Sequence, residues 1–556
     1  MSPTITDPRT HALDAFAQAL SAAASALYPD APAVVVGFES PRRASFGDFA
    51  TNVAFSLAKF ARRSPQDVAL ALVERVREAE VSRAFADVDA VAGFINLRLS
   101  PSIWQAELAR LARDGGATQR TDRSGRISLE FGSANPTGPL VVVQGRSLSI
   151  GDALARAMRY CGYDVFAEWI INDAGAQMQL LGESLYARYR QIETPEFPFP
   201  EEGYPGQYLI DIAQTLRERE GAHWGTASRD AWLPYFQRFA RDTIVEQQQL
   251  LAERFGVRYD LWQSELELHE RGTIQSGIDG LQRRGLTYES DGAVFVRTTD
   301  FGDDKDRVVV RSDGRPTYYA LDVSYHDEKL GRADRVIDIL GPDHHGYVGR
   351  LSALATALGR PGCIDVLISG QIALVRDGQP VKMSKRAGQI EMLETLLDEV
   401  GNDAARFFFV MLSPESPLNF DLSLAVAHSN DNPVYYVQYG HARIASVLRN
   451  AGHDVPEGAP DAGALSVLTM PTELQLIRRL VELPSIVQGV VDHLAPHRLA
   501  RYARDVASDF HAFYAECKIL TDDATTRRAR LTLCVATKSV LATALHLLGV
   551  SAPDSM

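Results

Sequence analysis

Two of this chain's seven lysines, Lys382 and Lys385, fall in one short run, Val381-Lys382-Met383-Ser384-Lys385-Arg386-Ala387-Gly388, in a chain with fifty arginines. An ammonium on a flexible stem can follow a moving phosphate, whereas a guanidinium favours a fixed bidentate partner. A lysine pair spaced by three, just after the Asp377-Gly378 turn, therefore suits a triphosphate. It would stabilise charge developing during displacement at the α-phosphorus. The plainer reading of such a pair is a solvated basic loop.

Three further constellations have chemical content. In Glu130-Phe131-Gly132-Ser133-Ala134-Asn135-Pro136-Thr137-Gly138-Pro139-Leu140, small residues let backbone approach a ligand closely. Glu130 and Asn135 close a strand there, where a carboxylate suits a cationic group. In Pro316–His326, Tyr318, Asp322, Tyr325 and His326 share one helical face. One carboxylate flanked by aromatic rings makes a receptor for a guanidinium. Gly341-Pro342-Asp343-His344-His345-Gly346 follows a strand. No third or fourth partner stands at metal-ligand spacing, so the placement favours adenosine contacts. The competing readings are a turn with a capping Asn for the first run and an amphipathic helix for the second.

These residues need a scaffold. A chain of 556 residues, 46% hydrophobic and 23% charged, is a globular protein of several domains. The net charge of −14 excludes a uniformly basic nucleic-acid surface and leaves local basic patches open. The polar start is not a secretory signal, and no apolar run reaches the length of a membrane span. Four scattered cysteines fit a reduced, cytoplasmic setting. The pattern predicts a helix over 49–62, another from Ser64-Pro65 to Arg77, and a strand at Phe94–Leu99. From Arg126 a strand (Ile127–Phe131), a Gly/Pro loop, a long helix (Arg146–Tyr160) and a strand (Asp164–Ile171) form a βαβ unit of a doubly wound α/β fold. Residues 195–297 look like an insertion. Further strands are expected at Val308–Arg311, Arg335–Leu340 and Asp365–Ser369. From Leu424 onward helical periodicity predicts an all-α bundle, through Leu474–Val490, Leu499–Tyr514 and Leu531–Leu548.

The Lys-Met-Ser-Lys string resembles the KMSKS loop of class I aminoacyl-tRNA synthetases, and Glu130–Leu140 resembles the segment that opens the catalytic domain of arginyl-tRNA synthetases. Similar matches run through the chain: Gly47-Asp48-Phe49 with Asn52, Gly93–Asn96, Asn172-Asp173-Ala174-Gly175 with Gln177, Thr299–Asp306, Gly341–Tyr347, Asn432–Tyr439 with His441-Ala442-Arg443, and Val550–Met556. The resemblance implies an N-terminal α+β, tRNA-contacting domain over 1–122. It implies a Rossmann-like class I catalytic domain over 123–425 and a helical anticodon-binding domain over 426–556. It implies an ATP-dependent arginine–tRNA ligase that works through arginyl-adenylate and is held to need bound tRNA even for the first step. Its substrates would be L-arginine, ATP with Mg2+ and tRNA(Arg); it would carry no protein-bound metal and act as a cytoplasmic monomer. The resemblance assigns Glu130, Asn135, Tyr318 and Asp322 to arginine. It gives ATP to Pro136, Gly138, Gly341, Asp343, His344, His345, Met383 and Ser384, catalysis to Lys382, Lys385 and Gln144, and tRNA to Tyr435, Tyr439 and Met556.

One segment departs from the family. Where it reads His-x-Gly-His, this chain reads Val141-Val142-Val143-Gln144. Val141 cannot donate a hydrogen bond, Val143 adds a branched side chain where adenine would lie, and Gln144 keeps one neutral donor. Losing one such donor costs about 3–4 kcal/mol of transition-state stabilisation. A rearranged backbone, or phosphate contacts from Lys382, Lys385 and Arg146, would offset that. The alternative is a non-catalytic relative that binds tRNA or arginine.

Overall fold

The computed structural model describes residues 8–39, 41, 43–77, 79–114, 123–381, 392–456, 458, 460 and 462–556. Its centre is a five-stranded parallel sheet in the order Ile364–Ile368, Arg335–Leu340, Arg126–Phe131, Asp164–Ile171, Leu261–Ser264. Ile127, Leu129, Val336 and Ile337 are fully buried, as parallel strands covered on both faces must be. The crossover helix Val142–Cys161 lies close against the central strand. A Cβ at Gly151 would fall 2.1 Å from the Phe131 ring, so only glycine admits this approach. From the central strand the chain first builds outward through Asp164–Ile171, then returns on the other side at Arg335–Leu340. That reversal opens a crevice beyond the strands' C-terminal ends, where doubly wound sheets bind ligands.

The N-terminal region carries an antiparallel sheet of Phe49–Thr51, Phe94–Leu99 and Phe85–Val91, with helices Pro8–Leu27, Val53–Ala61, Pro65–Arg77 and Pro101–Asp114. The helix expected over 49–62 begins only at Val53. Phe49–Thr51 instead pairs with Ile95–Leu97, a long-range contact that local periodicity does not register.

Within 195–297, helices Gln207–Glu220 and Arg229–Arg254 pack with Ala176–Gln191 around their own apolar cluster, which includes Leu185, Leu209, Ile212 and Phe236. Leu261–Ser264, inside the same stretch, is the edge strand of the central sheet. The strand expected at 308–311 forms at Arg307–Val310 and joins a small antiparallel sheet with Thr287–Ser290 and Ala293–Val296.

The C-terminal helices are Pro433–Ala451, Pro471–Val481, Leu483–His493, His497–Glu516 and Ala524–Leu547. The run expected to be continuous through Leu474–Val490 breaks at Glu482, because Pro484 fits only the first turn of a new helix. Fully buried Arg406 joins this bundle to the catalytic region. Its guanidinium donates to Phe255 O (2.9 Å) and Leu548 O (3.1 Å) and pairs with Asp152 on the crossover helix. Among the described residues no helix is long and apolar enough to cross a membrane.

Candidate active site

Three carboxylates, Asp338, Glu130 and Glu168, stand in register on three neighbouring parallel strands. The helix Tyr318–Arg332 answers them with three basic residues spaced by three, His326, Lys329 and Arg332. Lys329 Nζ lies 2.5 Å from Glu130 Oε2 and 2.8 Å from Asp338 Oδ1. His326 Nε2 lies 2.7 Å from Asp338 Oδ2. Glu168 binds Arg332 and accepts from Ser128 and Tyr325. Burial opposes charge on Asp338, but Lys329 and His326 outweigh it and hold the carboxyl well below the usual range. Burial likewise works against Glu168, yet Lys329 and Arg332 keep it below its ordinary value. Buried ions so paired stay charged, and removing one partner would strand the other.

Above this layer opens a cleft of about 520 Å3 at the crevice. Asp322, one turn before His326, faces into it. Its Oδ2 is enclosed without a hydrogen-bond partner among the described residues, and Arg350 Nη1 is 3.7 Å away. Burial pushes the Asp322 carboxyl up to about 6, against the pull of His326 and Arg350. Glu265 lines the same cleft. Burial, with Asp173 and Asp322 nearby, pushes its carboxyl up to about 7. Asp173 fixes this corner by accepting from Ser264 Oγ (2.8 Å) and Leu266 N (3.0 Å). Tyr318, 70% exposed, stands at the mouth. Two carboxylates raised by burial, each with only a loose basic neighbour (Arg350 at 3.7 Å from Asp322, His269 at 3.8 Å from Glu265), make a site for a cation that brings several N–H donors.

The cleft gathers Glu130, Asn135, Gln144, Tyr318, Asp322, Gly341 and His344. Glu130 is already taken by Lys329 and by Ser133 Oγ at 3.0 Å. Pro136, Gly138, Asp343 and His345 are not among the lining residues. Pro136 is buried, and Gln248 Nε2 donates to the carbonyl of Gly138 at 2.9 Å, so that segment is held against the helix Arg229–Arg254. Asp343 and His345 are exposed. Lys382, Met383, Ser384 and Lys385 lie outside the described residues. The chain re-enters at Met392, which bridges Val141, and Leu393 N donates to Leu140 O at 2.9 Å.

Val141 caps the crossover helix, and Val143 and Gln144 in its first turn face the cleft. The Gln144 side-chain carbonyl accepts from Val141 N at 3.1 Å, which leaves its amide N–H groups as donors. Arg146 is no phosphate ligand. It is fully buried and donates to Gly370 O (3.1 Å) and Ser413 O (3.0 Å). Sequence reasoning missed Glu265 and Arg350. Glu265 directly follows the edge strand Leu261–Ser264, inside the stretch read from sequence as an insertion.

In the bundle, Tyr435, Asn432, Gln438, His428 and Met556 line a separate cleft of about 610 Å3. The rings of Tyr435 and Tyr439 stack at 5.9 Å and 7°, with His428 on Tyr435 at 5.6 Å. Both tyrosines are half-buried, a half-open stack and not sealed core.

Three family profiles match the chain in order. They are the "Arginyl tRNA synthetase N terminal domain" over 11–99, "tRNA synthetases class I (R), catalytic domain" over 108–409, and the "DALR anticodon binding domain" over 437–556. The arginine–tRNA ligase of Syntrophotalea carbinolica is 42% identical over 527 residues, 94% of this chain and 95% of its own. That of Moorella thermoacetica is 43% identical over 543 residues, 96% of each. The Thermus thermophilus arginyl-tRNA synthetase superposes with a TM-score of 0.75 at 22% identity, over 98% of this chain and 100% of that one. The Plasmodium falciparum one gives 0.72 at 18%, over 98% and 99%. At such identities these two speak for the fold.

Proposed function

The chain belongs to the class I arginyl-tRNA synthetases and is an ATP-dependent arginine–tRNA ligase, and from that premise we propose how its cleft divides the work. The substrate guanidinium seats between Asp322 and Glu265, with Tyr318 closing over it. The observation that carries this is the enclosed Asp322 Oδ2, without a hydrogen-bond partner among the described residues, in one cleft with a second carboxylate raised by burial. Glu130 acts from below, through Lys329, and Asn135 flanks the mouth. The ATP end lies along Val143, Gln144, Gly341 and His344, over the first turn of the crossover helix. Asp343 and His345, just outside, and the backbone at Pro136 and Gly138 shape its rim.

The arginine carboxylate attacks the α-phosphorus, pyrophosphate leaves, and arginyl-adenylate forms. A ribose hydroxyl of the terminal adenosine of tRNA(Arg) then attacks the arginyl carbonyl, and AMP leaves. Lys382 and Lys385, with Met383 and Ser384 between them, neutralise the departing pyrophosphate. The anchoring of Met392 and Leu393 beside Val141 supports this, because it ties that segment's end to the ATP corner. Mg2+ arrives with ATP. Tyr435, Tyr439 and Met556 receive an anticodon base by stacking. The N-terminal domain adds a second tRNA contact. The working unit is a monomer, in the cytoplasm where tRNA is charged.

Charging of a tRNA(Arg) transcript with labelled arginine, alongside pyrophosphate exchange, tests this reading. Charging that depends on Asp322 and Lys385 is the expected result. A folded protein that binds tRNA and never charges it would overturn the reading. Lys385→Ala should slow adenylate formation and leave tRNA affinity unchanged.

A further inference from the structure

We propose that His326 is a positioning residue for arginine recognition, held as an imidazolium whose two ring N–H groups fix the helical turn that presents Asp322. This rests on the placement of arginine against Asp322. His326 Nδ1 lies 2.7 Å from the Asp322 carbonyl oxygen and Nε2 lies 2.7 Å from Asp338 Oδ2. A carbonyl and a charged carboxylate only accept. Both ring nitrogens must therefore donate, which only the cation can do. The ring is 6% exposed, so water does not replace either partner.

The groups facing His326 are Asp338 from the strand Arg335–Leu340, and Asp322 and Lys329 from its own helix. Glu130 enters through Lys329. Arg350 and Glu265 face Asp322 from the next helix and from across the cleft. His326 thus does two things for Asp322. Its Nδ1–H adds a second donor to that peptide beyond the helical one, and its charge favours the ionised carboxyl that a guanidinium needs. Lys329 cannot substitute, because its ammonium is committed to Glu130 and Asp338.

The test is calorimetric titration of the full chain with L-arginine at pH 6 and pH 8.5, for wild type and His326→Gln. Glutamine keeps a donor toward Asp338 and removes the charge. Without the cation the Asp322 carboxyl titrates higher, so the variant's deficit in Kd should be several-fold larger at pH 6 than at pH 8.5. An equal deficit at both pH values would mean a merely structural role and overturn the proposal. No arginine binding by wild type at either pH would overturn the placement of arginine as well. Should the variant fail to fold, ring-nitrogen NMR of wild type at pH 7 decides: two protonated nitrogens on His326 support the role, and a neutral tautomer overturns it.

Discussion

Gln144 accepts the backbone N–H of Val141 through its side-chain carbonyl, at 3.1 Å. The helix that opens at the ATP corner is thus closed on itself by the residue standing where the family has its second histidine. What remains to Gln144 for a phosphate is a neutral amide donor. Val143 narrows the same corner with a branched side chain.

Restoring the family pattern with Val141→His, Val143→Gly and Gln144→His should raise the rate of pyrophosphate exchange by at least about tenfold, since one well-placed donor is worth more than that. Gln144→Ala should lower it. If the triple variant is slower than wild type, the ATP corner is organised around Gln144 in a way the histidines cannot reproduce.

Asp322→Asn removes the charge that the guanidinium meets and leaves the shape of the cleft. The KM for arginine should rise by about 100-fold, in line with truncating one partner of an enclosed charged pair, while the KM for ATP stays within about twofold. Equal losses for both substrates in initial-rate assays would count against the assignment.

The two cleft carboxylates also set a pH dependence. Asp322 and Glu265 are pushed up to about 6 and about 7, and in the proposed placement the guanidinium binds their ionised forms. As pH falls through those values they protonate, so kcat/KM for arginine should drop on the acid side between pH 7 and pH 5. At pH 8 it should be flat. Glu265→Gln removes the upper step and leaves a limb near pH 6. A pH profile of kcat/KM unchanged by Glu265→Gln would place that carboxylate outside the recognition set.

The central βαβ unit was legible because its strands and crossover helix repeat locally: Asp164–Ile171 is found where the alternation puts it. Asp322, Tyr318 and His326 were legible for the same reason, as one face of one helix. Glu265 was not. It follows a short mixed strand, Leu261–Ser264, and reaches the cleft only because that strand pairs with Asp164–Ile171, some ninety residues earlier in sequence. Lysine scarcity drew attention to Lys382 and Lys385. Lys329 is the lysine buried beneath the cleft, and its partners Glu130 and Asp338 meet only through strand register. Arg146 shows the converse error. An arginine beside a ligand motif in sequence turns its side chain away in space, into the carbonyls of Gly370 and Ser413.

The joint between bundle and catalytic region gives a last prediction. Gly549 follows Leu548 at the end of the helix Ala524–Leu547, with φ +69. A Cβ there would lie 2.0 Å from the Arg406 guanidinium, which is fixed by Phe255 O, Leu548 O and Asp152. Gly549→Ala must therefore bear both left-handed strain and displacement of a buried cation. The expected loss in urea unfolding is about 2–4 kcal/mol. Gly359 supplies the control: it follows Leu358 at a helix end with φ +77 and nothing within 4 Å of its Cβ position, so Gly359→Ala should cost only the strain, about 1 kcal/mol. If the two variants lose the same stability, Arg406 yields freely and does not lock the bundle to the crossover helix.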